Sequence, residues 1–268
     1  MTDFIRVDGE GLPPEDAYRL LTGCVVPRPV AWITTVDAQG RVNVAPFSSY
    51  NYLATQPPML GVNIQRREAG AHKGEAKDTA RNIRETGQFV VNVSTEATLQ
   101  KMHASGSDFA PGVSESEELD IPLLPSAHVK PPRIAIAPVQ MECQLAHEIP
   151  LGKGVNTLFI GEVVAFHLSP EIYDGKHVDS VKMRPIARLG GPFYSALGEI
   201  FSIKRLYSRR RSGRKGTGPC ASCARAPHRA ALAVTSACCR PRRPPAHRTA
   251  AGYRRCARSS RRPGPGTG

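Results

Sequence analysis

Apolar residues alternate with polar ones, or run together in short β-branched stretches, along most of the chain before residue 170. Both patterns are typical of strands with one or two buried faces. Turn residues at 37–40 join the first two such runs into a β-hairpin, and Gly-Lys-Gly at 152–154 joins the last two. The predicted strands cover residues 30–36, 41–45, 59–64, 88–93, 139–145 and 157–166.

Two short helices and two loops are predicted between these strands. Residues 77–87 predict a helix with Asp78 as its N-cap and Gly87 as its stop, and a second helix begins near Ser94 or Thr95 and ends at Gly106. The predicted loops are 46–52 and the proline-punctuated stretch 107–132, with one helical turn at 114–118. Long loops in compact domains are often functional.

Six or more strands with two short helices predict a mainly β protein folded as a closed or partly closed barrel. The parallel βαβ alternation of a dinucleotide-binding domain is missing, and no G-x-G-x-x-G follows a predicted strand. The 268 residues allow one large domain, or one domain with an appendage. We expect a single barrel domain over residues 1–206.

Composition and charge change abruptly after Arg205. Residues 207–268 hold sixteen of the 36 Lys and Arg residues and none of the 23 Asp and Glu residues, so the net charge of +13 belongs to this tail. The tail is rich in Arg, Ala, Pro and Gly, which predicts a disordered segment without a function. An out-of-register reading of GC-rich coding DNA would give this composition, so a frameshifted C-terminus is the favoured explanation. Nucleic-acid binding through the Arg-rich tail is the alternative.

Cysteine usage and hydropathy argue against zinc-binding, disulfide-rich, secreted and membrane-spanning proteins. Five of the seven cysteines lie in the tail, where Cys220 and Cys223 form one C-x-x-C but Cys238 and Cys239 are adjacent, so no zinc site is predicted. The two earlier cysteines do not make a disulfide framework. No signal peptide or membrane-spanning run is present in the sequence. A cytoplasmic protein with free thiols is expected.

Two polar clusters are candidates for ligand binding. The helix start at 77–82 offers unpaired backbone amides with Lys77, Thr79 and Asn82 beside them, a combination typical of phosphate sites, while Asp78 is expected to turn away. An ordinary capped helix would explain the same residues. We interpret the cluster as a binding site for the phosphate of flavin mononucleotide (FMN).

The second cluster lies between two predicted strands. Ser48, Ser49, Tyr50 and Asn51 supply hydrogen-bonding groups for the ribityl chain and one edge of a flavin ring, although an ordinary turn would also explain them. Asn63 interrupts an apolar strand and needs a partner if it is buried. A flavin carbonyl or ring nitrogen is the partner that we predict.

An ordered series of segments extends from about Asp16 to Lys204. Its members are Arg28–Thr35, Asn43–Asn51, Pro57-Pro58, Lys77-Asp78-Thr79 with Asn82-Ile83, Phe89–Asn92, and Arg188–Gly191 with Tyr194. With this series the sequence resembles the flavin reductase-like domain family, which has the FMN-binding split-barrel fold. In that family the chain normally ends close to Arg205, so residues 207–268 have no counterpart.

The resemblance implies an FMN-binding oxidoreductase that transfers hydride from NADH or NADPH to flavin. It also implies a homodimer with FMN near the subunit interface, contacted by Ser48–Asn51 and Lys77–Thr79. Members generally lack a dedicated proton-transferring residue, so no catalytic residue is assigned, and His103 is a candidate contact for nicotinamide. Reduced FMN is either released to a partner monooxygenase or kept as a prosthetic group. A protein that carries FMN without reductase turnover is the alternative.

Overall fold

A computed structural model describes residues 3–68, 70–110 and 113–203. The predictions for the tail, namely disorder, a frameshifted origin, nucleic-acid binding and the lack of a zinc site, lie outside these residues and stay predictions. So does the domain boundary at residue 206.

The described residues contain short helices and many strands. The helices are α1 (Pro14–Cys24), α2 (Asp78–Thr86), α3 (Leu99–Ala104), α4 (Glu115–Glu118) and α5 (Ser180–Met183), with 3-10 turns at Glu96–Thr98 and Gly152–Gly154. The strands are β1 (Arg28–Pro29), β2 (Ala31–Val36), β3 (Val42–Phe47), β4 (Tyr50–Thr55), β5 (Pro58–Gln65), β6 (Gln88–Val93), β7 (Leu123–Leu124), β8 (Arg133–Ile134), β9 (Val139–Leu151), β10 (Asn156–Leu168), β11 (Ala187–Arg188) and β12 (Tyr194–Ser195).

Seven strands form one antiparallel sheet in the order β3-β2-β6-β9-β10-β5-β4. The two edge strands, β3 and β4, are consecutive in the chain and are joined by Ser48 and Ser49 alone. The sheet therefore curls until its edges meet at this turn, where the Asn63 amide donates to the Ser49 carbonyl at 2.8 Å. The result is a split barrel, as the sequence predicts.

The barrel interior is filled by large apolar side chains from the strands, and α2 closes one end with Ala80 and Ile83. Phe89 and Phe159 are fully buried in this core. At Gly161 of β10, an added Cβ would lie 2.4 Å from Cζ of Phe89. Packing at native density thus requires a residue without a side chain at this position.

A second apolar cluster covers the outer face of β2 and β3. Trp32, Val44, Met102 and Ile134 are fully buried there, and the Trp32 indole Nε1 donates to Ser105 Oγ at 2.9 Å. These contacts hold α3 on the barrel wall. They also place the segment after α3, residues 105–110, close to the start of α2, where several of its residues line the same cavity.

The loop at 126–130 is held by a buried carboxylate on β9. Glu142 accepts hydrogen bonds from the amides of Ala127 at 2.8 Å and His128 at 2.6 Å, and it lies 2.6 Å from Nε2 of His167. Burial raises the pKa of Glu142, but these hydrogen bonds outweigh burial and leave the pKa below its ordinary value. A charged Glu142 therefore fixes the loop to the sheet.

The structure corrects three sequence predictions. Residues 46–52 are not a loop, because β3 extends through Phe47 and β4 begins at Tyr50. The β9–β10 hairpin is longer than predicted at both strands. Asp78 is not the N-cap of α2, because it is the first helical residue and Lys77 occupies the cap without a side-chain hydrogen bond.

Helix α1 was not predicted, and none of its residues is buried. Burial against the rest of a protein is what usually gives a helix its clear apolar stripe. Across residues 3–68, 70–110 and 113–203, no helix combines the length and hydropathy needed to cross a membrane.

Candidate functional site

A cavity of about 260 Å³ lies along the edge strand β3, between the start of α2 and the segment that follows α3. Its lining combines apolar, polar and charged side chains. The lining residues are Asn43, Ala45, Pro46, Phe47, Arg67, Glu68, Lys77, Asp78, Thr79, Ser105, Gly106, Ser107, Asp108, Phe109 and Glu115. The split in the barrel therefore exposes a pocket of mixed character, as ligand sites usually have.

Lys77 supplies a cation at one side of the cavity. Its Nζ lies 5.8 Å from the centroid of the Phe47 ring, and no carboxylate lies within ion-pair distance of it among the described residues. Burial lowers the pKa of Lys77; the charge of Arg67 acts in the same direction, and Glu68 and Asp108 act against it. An amine that is partly desolvated and unpaired in this way favours an anionic ligand.

Thr79 and Asn82 lie on the first turn of α2, but only Thr79 lines the cavity. The Thr79 hydroxyl accepts from Asn43 Nδ2 at 2.9 Å and keeps its own hydrogen for a further acceptor. The Asn82 amide donates to Thr35 Oγ1 at 3.1 Å and points into the barrel wall. Asn82 therefore joins α2 to β2, and its contact with the phosphate stays a prediction.

Asp78 forms ion pairs with two guanidinium groups. Its carboxylate accepts from Arg67 at 2.7 Å and also from Arg81. The pairs neutralise the negative charge that Asp78 would otherwise present to an anion beside Lys77. Asp78 is expected from the sequence to turn away from the ligand. It instead lines the cavity, and two arginines balance its charge there.

The Ser48–Asn51 segment begins where the cavity ends at Phe47. Ser48 is half-buried and Ser49 exposed, while Asn51 is exposed and accepts from the Tyr52 amide at 2.9 Å through Oδ1. Tyr50 packs on the barrel core, and burial raises its pKa to about 12, with a smaller contribution from Cys143. These residues do not line the cavity, but they continue its wall along the seam of the barrel.

Asn63 lies on β5 beside this turn, because its amide donates to the Ser49 carbonyl. Its side-chain Oδ1 is buried and has no hydrogen-bond partner among the described residues. A buried acceptor without a donor is costly, so this oxygen is the kind of group that a ligand N–H satisfies. The structure thus places Asn63 with the turn and leaves its acceptor available.

The cavity is also lined by residues that the sequence does not predict there, namely Glu115, Arg67 and the segment 105–109. Glu115 is 7% exposed, and its Oε2 accepts from the Val44 amide of the edge strand at 2.8 Å. Burial raises the pKa of Glu115 above its ordinary value. No spacing in the sequence distinguishes Glu115 from Glu117 or Glu118, since only the fold turns it inward.

His103 lies on the exposed side of α3. Its Nδ1 is 3.1 Å from the hydroxyl of Tyr194, whose ring is also stacked 4.6 Å from the guanidinium of Arg188. His103 does not line the cavity, although Ser105 and Gly106 of the same turn do. Its contact with nicotinamide stays a prediction.

A split barrel with a cavity at its seam is the architecture of a class of flavin-binding proteins. The chain belongs to the flavin reductase-like family, since residues 22–182 match the Flavin reductase like domain. Among related proteins, YwrF of Bacillus subtilis is 39% identical over 200 residues, which cover 72% of this chain and 95% of YwrF.

Two solved structures are similar in both sequence and fold. Nitrilotriacetate monooxygenase component B from Bacillus cereus is 35% identical with a TM-score of 0.72, over 76% of this chain and 100% of that chain. The 2-nitrobenzoate 2-nitroreductase NbaA from Pseudomonas fluorescens is 34% identical with a TM-score of 0.67, over 75% of this chain and 96% of that chain. Together with the family, they support a flavin-related oxidoreductase function and flavin as the cofactor.

Proposed function

We propose that this protein binds FMN at the seam of its barrel and uses NADH or NADPH to reduce it. The observation that carries the proposal is Lys77 at the start of α2, which lines a cavity along the edge strand β3 and has no ion-pair partner within residues 3–68, 70–110 and 113–203. Lys77, Thr79 and the first amides of α2 would hold the phosphate. Ser48, Ser49, Tyr50 and Asn51 would contact the ribityl chain and one edge of the ring.

The residues present fit this cofactor in three respects. Phosphate donors lie at the α2 end of the cavity, and the apolar side chains of Ala45, Pro46 and Phe47 line the β3 side. The buried Oδ1 of Asn63 has no partner among the described residues, which suits a ring N–H donor. The Thr79 hydroxyl retains a hydrogen to donate.

When bound, FMN would supply a two-electron acceptor for hydride from the nicotinamide, so the protein need not provide an acid or base for that step. The chain's own residues neutralise the phosphate, orient the ring and exclude water from one side of it. We assign no catalytic residue. His103 is proposed as a contact for nicotinamide on the strength of its position on α3, next to the cavity segment.

Two further expectations belong to this proposal. One structural neighbour is named as component B of a monooxygenase, which favours delivery of reduced FMN to a partner monooxygenase. A homodimer would cover exposed apolar side chains such as Leu21, Phe193 and Phe201, which are at least 64% exposed in the single chain.

The absorbance spectrum of the purified protein, followed by titration with FMN, tests the proposal. We expect flavin absorbance bands or saturable FMN binding, together with oxidation of NADH or NADPH when FMN is present. Flavin binding without nicotinamide oxidation would select the FMN carrier without turnover. A colourless protein that does not bind added FMN would overturn both readings.

A further inference from the structure

Arg67 links the two segments that border the cavity. It lies after β5, and its side chain is only 15% exposed. One guanidinium nitrogen donates to Asp78 at 2.7 Å and the other to Asp108 at 2.8 Å. All three residues line the cavity, so the guanidinium faces the space in which we place the phosphate.

The two carboxylates that pair with Arg67 are held very differently. Asp78 belongs to α2, is 15% exposed and is also paired with Arg81, so it is fixed in place. Asp108 is 72% exposed, and Arg67 is its partner among the described residues. Ion pairs with an exposed carboxylate contribute little to stability, because water and salt screen them. The bond to Asp108 is therefore the one that a ligand can replace.

We propose that Asp108 competes with the phosphate of the ligand for Arg67. This inference rests on the proposed function and adds a specificity-determining pair to it. A phosphate dianion is a stronger acceptor than an exposed carboxylate and suits the planar fork of arginine. Lys77 lines the same space and pairs with no carboxylate in the described part of the chain, so the incoming phosphate meets two cations once Asp108 is displaced.

The competition has two consequences for ligand choice. Arg67 and Lys77 favour FMN over riboflavin, because only FMN carries a phosphate that can displace Asp108, and Asp108 limits the size of that preference. Displacing Asp108 offsets part of the attraction between Arg67 and FMN. FMN therefore binds less tightly than it would to the two cations without Asp108. The pair therefore favours an exchangeable flavin over one that stays bound through many turnovers.

Fluorescence titrations of the full-length protein with FMN and with riboflavin test the inference. We expect Asp108→Asn to lower the Kd for FMN by about two- to fivefold and to leave the Kd for riboflavin unchanged. Arg67→Gln is expected to raise the Kd for FMN by about tenfold or more, again with little change for riboflavin. Selectivity for the phosphate should therefore rise in the first variant and fall in the second.

Two matched variants separate this effect from general changes of charge or fold. Glu117→Gln removes an exposed carboxylate of α4 outside the cavity, and Arg19→Gln removes an exposed guanidinium of α1 that does not line the cavity. Both should bind FMN within about twofold of the wild-type protein.

An unchanged or higher Kd for FMN in Asp108→Asn would overturn the inference and would make Asp108 a residue that positions Arg67. An Arg67→Gln protein that keeps the wild-type preference for FMN over riboflavin would also overturn it. If the wild-type protein binds neither flavin, the proposed function fails together with the inference. Normal FMN binding with no effect in either variant refutes the inference alone.

Discussion

Replacing Lys77 with alanine should weaken FMN binding without unfolding the protein. The side chain leaves the cavity wall, but its backbone keeps the N-cap position of α2, which uses no side-chain hydrogen bond. No carboxylate among the described residues loses its ion-pair partner, so no buried charge is left behind. The change therefore removes one cation from the proposed phosphate site and little else.

The magnitude follows from the position of the Lys77 amine. Two unit charges about 4 Å apart near a protein surface attract by roughly 4 kcal/mol, before the cost of removing water from both is subtracted. Burial already lowers the pKa of Lys77, so part of that cost is met before the ligand arrives. Hydrogen bonds to charged groups contribute about 1–3 kcal/mol net, which corresponds to a rise in Kd of about five- to 150-fold.

Quenching of flavin fluorescence in titrations with FMN and riboflavin measures this effect. Lys73→Ala is the matched control, because Lys73 is an exposed lysine of the same β5–α2 connection and does not line the cavity. The loss should appear for FMN, not for riboflavin, and not in the control. Equal FMN affinity in the wild-type protein and Lys77→Ala would show that the phosphate binds elsewhere on the protein.

Three other substitutions follow from described contacts. Thr79→Ala should weaken FMN binding by about 1–3 kcal/mol in the same titration, because a hydroxyl beside the phosphate is lost. Glu142→Gln should lower the free energy of unfolding at pH 7 by about 1–3 kcal/mol in urea denaturation, since it disturbs a buried acceptor of several hydrogen bonds. Because the pKa of Glu142 is lowered by folding, its stabilisation is present above its ordinary pKa of 4.5 and is lost as the pH falls further. Gly161→Ala should cost about 1–3 kcal/mol of unfolding free energy, because its Cβ overlaps the Phe89 ring.

Each of these has a control or a contrary result. Thr79→Ser keeps the hydroxyl and should retain FMN affinity. A difference between Glu142→Gln and wild type that is as large at pH 3 as at pH 7 would contradict the titration argument. Gly198→Ala adds a methyl group where no atom of the described residues lies within 4 Å, so it should leave stability unchanged. Similar stability of the two alanine variants would show that Phe89 moves aside without cost.

The strands were predictable where burial is regular along the chain. Residues 88–93 are predicted and observed as the same strand, because apolar side chains pack on both of its faces. The prediction failed at 46–52 because Pro46 and two serines suggest a loop. Pro46 instead sits on an edge strand, where its missing N–H breaks no ladder hydrogen bond.

The candidate site was predictable only in part, for a physical reason. Lys77 and Thr79 line the cavity, and they were candidates because a helix start is a local signal for a phosphate site. Asn82 has the same local signal, yet its amide bonds to Thr35 across the barrel wall, a contact set by the packing of α2 on β2. Arg67 reaches the cavity from the segment after β5 and Glu115 from α4, and such convergence in space leaves no local pattern.

The hydrogen bond from the Val44 amide to Glu115 affects whether the edge strand β3 can pair with a further strand. An edge strand offers its backbone groups to any extended chain that can pair with it. The Glu115 carboxylate accepts a hydrogen bond from one of those amides on β3, and it lies where a neighbouring strand would have to lie. If another strand paired with β3 at this point, its backbone would close the gap between the barrel edges and occupy the cavity. Glu115 thus occupies a place on this covered edge where a further strand would otherwise pair.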